Sequence, residues 1–264
     1  IDIAIDLMGY TKGSRTNIFA FRAAPVQILF LYESTMGAKF IDYIIADTTT
    51  IPERLRPHYK EKVIYLPHSY MPTDNSQEIM DQKMTRQEVG LPEDGFVFCC
   101  LNANYKISPR EFDIWMRLLH KVEGSVLWLK QNNQWAKSNL QKEAKLRGID
   151  PSRLVFADNV SREDHLARHK LADLFLDTFS FNAHSTATDA LWAGLPIITK
   201  KGEQFVARCA ASFLNAVGLP ELIVKTDREY EALAFELATN KSLLTSIKEK
   251  LANNRTTTPL FDTK

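Results

Sequence analysis

Three short stretches in the second half of the chain carry residue types that recognise phosphate. The first is Asn102-Ala103-Asn104-Tyr105-Lys106, where a lysine stands just ahead of a helix signal. A lysine held against a diphosphate offsets the charge that develops as a nucleoside diphosphate leaves. A unit charge pair about 4 Å apart is worth roughly 4 kcal/mol at an effective dielectric of about 20. Taken alone, Lys106 reads as a surface lysine. The second stretch is Val160-Ser161-Arg162, followed by His165 and Arg168. The spacing of three places Arg162, His165 and Arg168 on one helix face. Two arginines near a helix amino end need an anion, or pairing by Glu163 and Asp164, to be tolerated there. Ser161 with Asp164 resembles a capping box. The third stretch is His184-Ser185-Thr186, with Asp189 one turn later. Hydroxyls, a ring N–H and the open N–H groups of a helix start make an anion site. Asp189, on the same side, offers its carboxylate to both hydroxyls of a ribose. A Ser/Thr cap with a solvated aspartate is the plain alternative.

Those positions act together only if the fold gathers them. After residue 90 the pattern predicts strands at 96–101, 125–129, 154–156, 174–177, 196–199 and 222–224. Between and after them it predicts helices at 108–122, 133–147, 162–170, 186–193, 203–216, 229–239 and 241–253. Pro109 suits a first helical turn, and Gly148, Gly194 and Gly218 suit helix ends. Alternating strands and helices mean βα units and an α/β doubly wound parallel sheet. Ligands in such sheets lie outside the carboxyl ends of the strands. Each of the three stretches follows a different strand, so all three open on the same edge. The earlier part predicts strands at 1–7, 26–32, 43–46 and 63–66, the last stopped by Pro67, and a short helix at 16–22. Residues 71–87 are polar, contain Pro72 and read as a linker.

Composition excludes several classes. With 264 residues, 45% hydrophobic and 25% charged, the chain is globular and large enough for one large or two modest domains. Lys+Arg 33 against Asp+Glu 32 gives +1, which demands no nucleic acid and no anionic membrane. Cys99, Cys100 and Cys209 lack CxxC spacing and read as buried thiols in a reducing, cytoplasmic setting. No apolar run reaches the roughly 18 residues of a membrane span. There is no GxGxxG, no GxxxxGK[ST], and no DxD-like pair or His/Cys cluster that suggests a metal. The chain opens at Ile1 inside an apolar run, so it reads as a piece of a longer protein.

Four runs carry a resemblance: LMGYTKGSR at 7–15, Tyr105-Lys106-Ile107, HST at 184–186 continuing through DALWAGLP at 189–196, and TPLFDTK at 258–264. In these the chain resembles the protein O-linked N-acetylglucosaminyltransferase family, in the same order along nearly its whole length. The resemblance implies a two-lobed, metal-independent glycosyltransferase fold with Rossmann-like domains. Residues 1–72 would be the carboxyl-terminal part of an acceptor-side first lobe, 73–90 a linker, and 91–264 the nucleotide-sugar-binding lobe. It implies inverting transfer of N-acetylglucosamine from a UDP-sugar to Ser/Thr hydroxyls of proteins, with no cofactor. The implied partners are a nucleotide sugar and a protein acceptor, with tetratricopeptide repeats elsewhere in the parent. Lys106, beside Tyr105, matches the family's diphosphate-binding lysine. Val160, Ser161, Arg162, His165 and Arg168 match its uracil-contacting segment. His184, Ser185 and Thr186 match its phosphate-binding His-Thr-Thr, and Asp189 its ribose-binding aspartate. The proton acceptor stays open between the substrate, water and a residue upstream of Ile1. This piece alone is expected to be inactive. Departures are Ala103, a glutamine in animal members, Asp2, a histidine there, and the shorter, glycine-poor loop 31–37. They keep two alternatives in view: another donor, GDP-fucose or UDP-glucose, and a non-catalytic nucleotide-sugar-binding module.

Overall fold

The computed structural model describes residues 1–31, 34–79 and 84–262. The last residue of the predicted 26–32 strand, part of the 31–37 loop, part of the 73–90 linker and the last two residues of the 258–264 run lie outside the described residues. Two parallel sheets organise the rest. The first holds β1 (Ile3–Asp6), β2 (Val26–Leu29), β3 (Tyr43–Ala46) and β4 (Lys62–Tyr65), in that order. The second holds β5 (Val97–Cys100), β6 (Val126–Lys130), β7 (Leu154–Ala157), β8 (Leu174–Leu176), β9 (Ile197–Lys200) and β10 (Ile223–Val224). Its spatial order is β10-β9-β8-β5-β6-β7. The order reverses between β5 and β8, where Phe98 faces Leu174 and Cys99 faces Phe175. A crevice must open at that switch point, beyond the carboxyl ends of both strands.

The second sheet forms because its strands are unbroken apolar runs. VFCC in β5 and LFL in β8 are wholly buried, as expected of a sheet covered on both faces. The covering helices are α1 (Pro109–Lys121), α2 (Gln134–Leu146), α3 (Arg162–Arg168), α4 (Ser185–Trp192), α5 (Cys209–Ala216), α6 (Asp227–Thr239) and α7 (Lys241–Asn254). Local signals start them. Pro109 opens α1, and the buried Glu111 carboxylate receives the N–H and the hydroxyl of Ser108. Asn133 and Ser161 cap α2 and α3 by accepting N–H bonds from Ala136 and Asp164. Trp115, Trp128, Phe98, Phe175 and Phe213 fill the core. The three cysteines are free thiols within it, and burial pushes Cys99 and Cys100 up, which keeps them protonated and inert.

Two elements differ from the sequence pattern. The alternation in 1–7 predicts an apolar face turned inward, yet Ile3 and Ile5 are exposed and Asp6 is buried. Asp6 is held inside because it builds the following loop. Its carboxylate accepts from the N–H groups of Met8 and Gly9 and from the Thr16 hydroxyl. The helix predicted at 203–216 is broken into a 3-10 turn, Phe205–Ala207, and α5. Arg208 interrupts it, its guanidinium donating to the carbonyls of Thr49 at 2.6 Å and Gly202 at 2.9 Å. Gly202 is required there: a Cβ would stand 2.7 Å from that of Ala207.

The Arg208 contact belongs to a seam between the sheets. Asp47, just after β3, accepts the N–H groups of Thr49 and Thr50 on one oxygen. Its other oxygen accepts the N–H of Tyr70 at 3.0 Å and the hydroxyl of Ser212, in α5, at 2.6 Å. At the far end, the Thr73 hydroxyl donates to the carbonyl of Leu260. The two sheets therefore hold a defined relation across the crevice.

Candidate nucleotide-sugar site

The turn after β5 reaches across the switch point. Residues Asn104–Lys106 form a 3-10 turn, tied down by the Asn104 side chain donating to the Lys130 carbonyl. From this turn Lys106 extends to the loop joining β8 to α4. Its ammonium donates to the Asn182 carbonyl at 2.9 Å and stands 3.9 Å from the centre of the Phe181 ring. The same ring lies 5.1 Å from that of His184. His184 caps α4, whose first N–H groups have no carbonyl partner within the helix and face out of its end. Lys106, His184 and the start of α4 at Ser185 and Thr186 thus share one corner. It combines a full positive charge with a helix amino end.

The floor of that corner is polar and buried. Asn102, just after β5, donates to the Thr178 hydroxyl at 2.9 Å and closes the switch point. Asp177, at the end of β8, accepts the N–H of Ala183 at 2.7 Å, the N–H of Thr178 at 2.9 Å and the Thr199 hydroxyl at 2.7 Å. Burial pushes its carboxyl up to about 7, against the pull of those hydrogen bonds and of the Lys106 charge. Asp177 was not singled out in the sequence, and Asn102 entered only as the opening residue of the first stretch. The available signal was position alone: both directly follow strands that flank the order reversal, which is invisible until the strands are ordered.

A second corner lies one turn along α4. Arg162, at the start of α3, forms a forked pair with Asp189, its two terminal nitrogens 2.5 and 2.6 Å from the two carboxylate oxygens. It also donates to the Gln77 side chain at 2.6 Å. Burial raises the Asp189 carboxyl, but the contacts from His165 and Arg162 outweigh it and hold it below the usual range. Arg168 carries only donors, so its 2.6 Å contact makes His165 Nδ1 an acceptor and leaves the proton on Nε2, which faces Asp189 at 3.6 Å. The anion that Arg162 meets at the start of α3 is therefore Asp189 of the neighbouring helix, whereas Arg168 ends α3, where a cation suits the helix dipole. Glu163 adds a lesser charge contact to Arg162, and Asp164 is engaged by the Ser161 hydroxyl. Met71, Asp74, Gln77, Arg162, Ser185 and Asp189 line a cleft of about 170 Å³ here. Gln77 and Met71 come from the stretch read as linker, which contributes a wall.

The other expected residues are distributed more unevenly. Tyr105, Val160 and Ser161 are exposed on the sheet edge. Arg168 is only 4% exposed, and its guanidinium donates to the Asp158 carbonyl at 2.7 Å, away from Lys106. It does not join the shared corner that the spacing suggested, because the last turn of α3 packs it over Trp128. Among the described residues no group of three or more His, Cys, Asp or Glu side chains is placed to hold a metal ion. No helix among them is long and apolar enough to cross a membrane.

Two parallel sheets facing one crevice, with a lysine and a helix end at the switch point, define a two-lobed glycosyltransferase fold. The chain belongs to glycosyl transferase family 41, whose model matches residues 1–84 and 77–264. It is 39% identical over 270 residues to a probable UDP-N-acetylglucosamine–peptide N-acetylglucosaminyltransferase of Arabidopsis thaliana, covering 100% of this chain and 28% of that one. It is 30% identical over 376 residues to the corresponding enzyme of Caenorhabditis elegans, covering 100% of this chain and 33% of that one. The structure matches a variant of the Thermobaculum terrenum O-GlcNAc transferase with a TM-score of 0.88 at 28% identity, over 99% of this chain and 50% of that chain. This chain therefore spans about a third or less of the length of those two curated relatives.

Proposed function

We propose that this chain is the nucleotide-sugar-binding portion of an inverting transferase that moves N-acetylglucosamine from UDP-N-acetylglucosamine to Ser/Thr hydroxyls of proteins. One observation carries the reading: Lys106 is docked on the loop that starts α4, at the switch point of the second sheet. In the reaction, an acceptor hydroxyl oxygen attacks the anomeric carbon from the face opposite the diphosphate. The new carbon–oxygen bond forms as the bond from that carbon to the diphosphate oxygen breaks, and the hydroxyl proton is released. Negative charge gathers on the departing UDP, where the Lys106 ammonium and the N–H groups of the α4 start stabilise it. Tyr105, Val160 and Ser161 line the edge on which the base would lie, and Asp189 with Arg162 faces the ribose. The names of the relatives support the choice of sugar and of a protein acceptor.

Calorimetric titration of the full-length protein with UDP and GDP tests the donor. UDP should bind with clear preference, and UDP-N-acetylglucosamine should compete with it. Preference for GDP would replace the proposed donor, and absence of binding by either nucleotide would remove the reading.

A further inference from the structure

We propose that Asp177 is the buried counter-charge of Lys106: a positioning residue that holds the ammonium on the Asn182 carbonyl and takes up a proton when a nucleoside diphosphate binds. The inference rests on the nucleotide reading of the Lys106 corner and extends it to a residue that touches no donor atom.

The geometry makes Asp177 a junction. It is 0% exposed and lies where β8 ends at the switch point. Its carboxylate ties together the loop amides of Thr178 and Ala183 and the hydroxyl of Thr199 on β9. Its main-chain carbonyl accepts the Tyr230 hydroxyl of α6 at 3.0 Å. The clamped loop is short and self-bonded: the Thr178 hydroxyl donates to the Phe181 carbonyl at 2.6 Å, and Asn182 donates to the Thr178 carbonyl at 2.7 Å. That loop presents both the Asn182 carbonyl to Lys106 and His184 to the start of α4. A change in charge at Asp177 is thus felt where the ammonium rests.

Two of the ionisable groups packed around it do not titrate near neutrality. Cys100 of β5 and Tyr230 of α6 are pushed up by burial and stay protonated near neutrality. Glu111 of α1 is engaged by Ser108. Lys106, on the turn after β5, is the cation whose charge favours the Asp177 carboxylate. A bound diphosphate competes for that cation and adds negative charge nearby. Both effects disfavour the ionised carboxylate, and its position near neutrality lets it respond by taking up a proton.

Asp177→Asn is the direct probe. The amide keeps an acceptor for Thr178 and Ala183 and can donate to Thr199, so it removes the charge at nearly constant shape. UDP is titrated at pH 7 into the full-length protein and into the variant, in two buffers of different ionisation heat, which gives protons exchanged per UDP. The wild type should take up more than Asp177→Asn, by up to about half a proton per site. Thr199→Val, which removes one donor to the charged form, should fall between the two. Equal proton counts in wild type and Asp177→Asn, or in wild type and Thr199→Val, with UDP binding intact, overturn the role of Asp177 alone. A wild type that does not bind UDP overturns the nucleotide reading itself.

Discussion

The two corners of the site treat their cations differently. Arg162 meets a protein carboxylate head-on and is neutralised by Asp189 within the chain. Lys106 donates to a neutral carbonyl and stands over the face of an aromatic ring, and its charge also acts on the buried Asp177 carboxylate. A cation already matched by a carboxylate adds little net attraction for an outside anion. One held by a carbonyl dipole keeps most of its field for a ligand. The contrast teaches that the arginine corner is built for shape and the lysine corner for charge.

The largest effect expected from that contrast is at Lys106. Lys106→Ala in the full-length protein should lower turnover by about 100- to 1,000-fold, the scale of losing a group that stabilises developing charge. UDP affinity should fall far less. Steady-state kinetics separates the two, and unchanged turnover would remove the lysine from the reaction.

Arg162→Ala should act on stability first. It leaves Asp189, which is 6% exposed, without its forked partner, at a cost of about 1–3 kcal/mol. Because Asp189 is held below its unfolded value, its contribution is full above that value and is lost as pH falls through the folded one. The variant should therefore unfold at higher pH than the wild type in acid titrations followed by circular dichroism. Arg162→Lys should recover only part, since a lysine cannot form the fork. An unmoved acid limb would contradict the pairing.

Asp177 gives the opposite sign. Its folded value, about 7, lies above the ordinary 3.8, so its contribution is full below about 3.8 and is lost as pH rises through about 7. Asp177→Asn should raise the melting temperature at pH 8, and raise it less at pH 5, where only the first part of the loss has accrued. A gain at pH 5 equal to that at pH 8 would show that charge is not the cause. His169, fully buried and pushed down to about 3, works the other way below pH 6.5 and supplies part of the acid sensitivity. The smallest effect belongs to Arg54→Ala. Its pair with Glu203 is exposed on both sides, so the change should leave the denaturant unfolding midpoint essentially unmoved.

Much of the second sheet was legible in the residues. The VFCC, VLWL and LFL runs, the Ser108-Pro109 start and the Gly148 and Gly194 ends report burial and backbone geometry that act within a few residues. The Lys106 and HST stretches were legible for the same reason: each lies between a strand and the helix that follows it. The reading failed where a side chain finds its partners outside its own segment. Ile3 and Ile5 alternate like an inward face, but Asp6 faces inward, held by Thr16 and the 8–9 amides. The 203–216 pattern is helical throughout, yet Arg208 breaks it to reach Thr49, 159 positions away in sequence.

What the chain determined by itself was the order of strands and helices, the parallel sheets and the placing of basic and hydroxyl side chains at strand ends. These follow from periodicities and caps that each segment carries locally. Only the tertiary structure decided that Asp189 belongs to Arg162, that Arg168 turns toward Asp158, and that the buried Asp177 carboxylate feels the Lys106 charge. Such pairings depend on which strands become neighbours, and on the dielectric that burial then imposes on the charges between them.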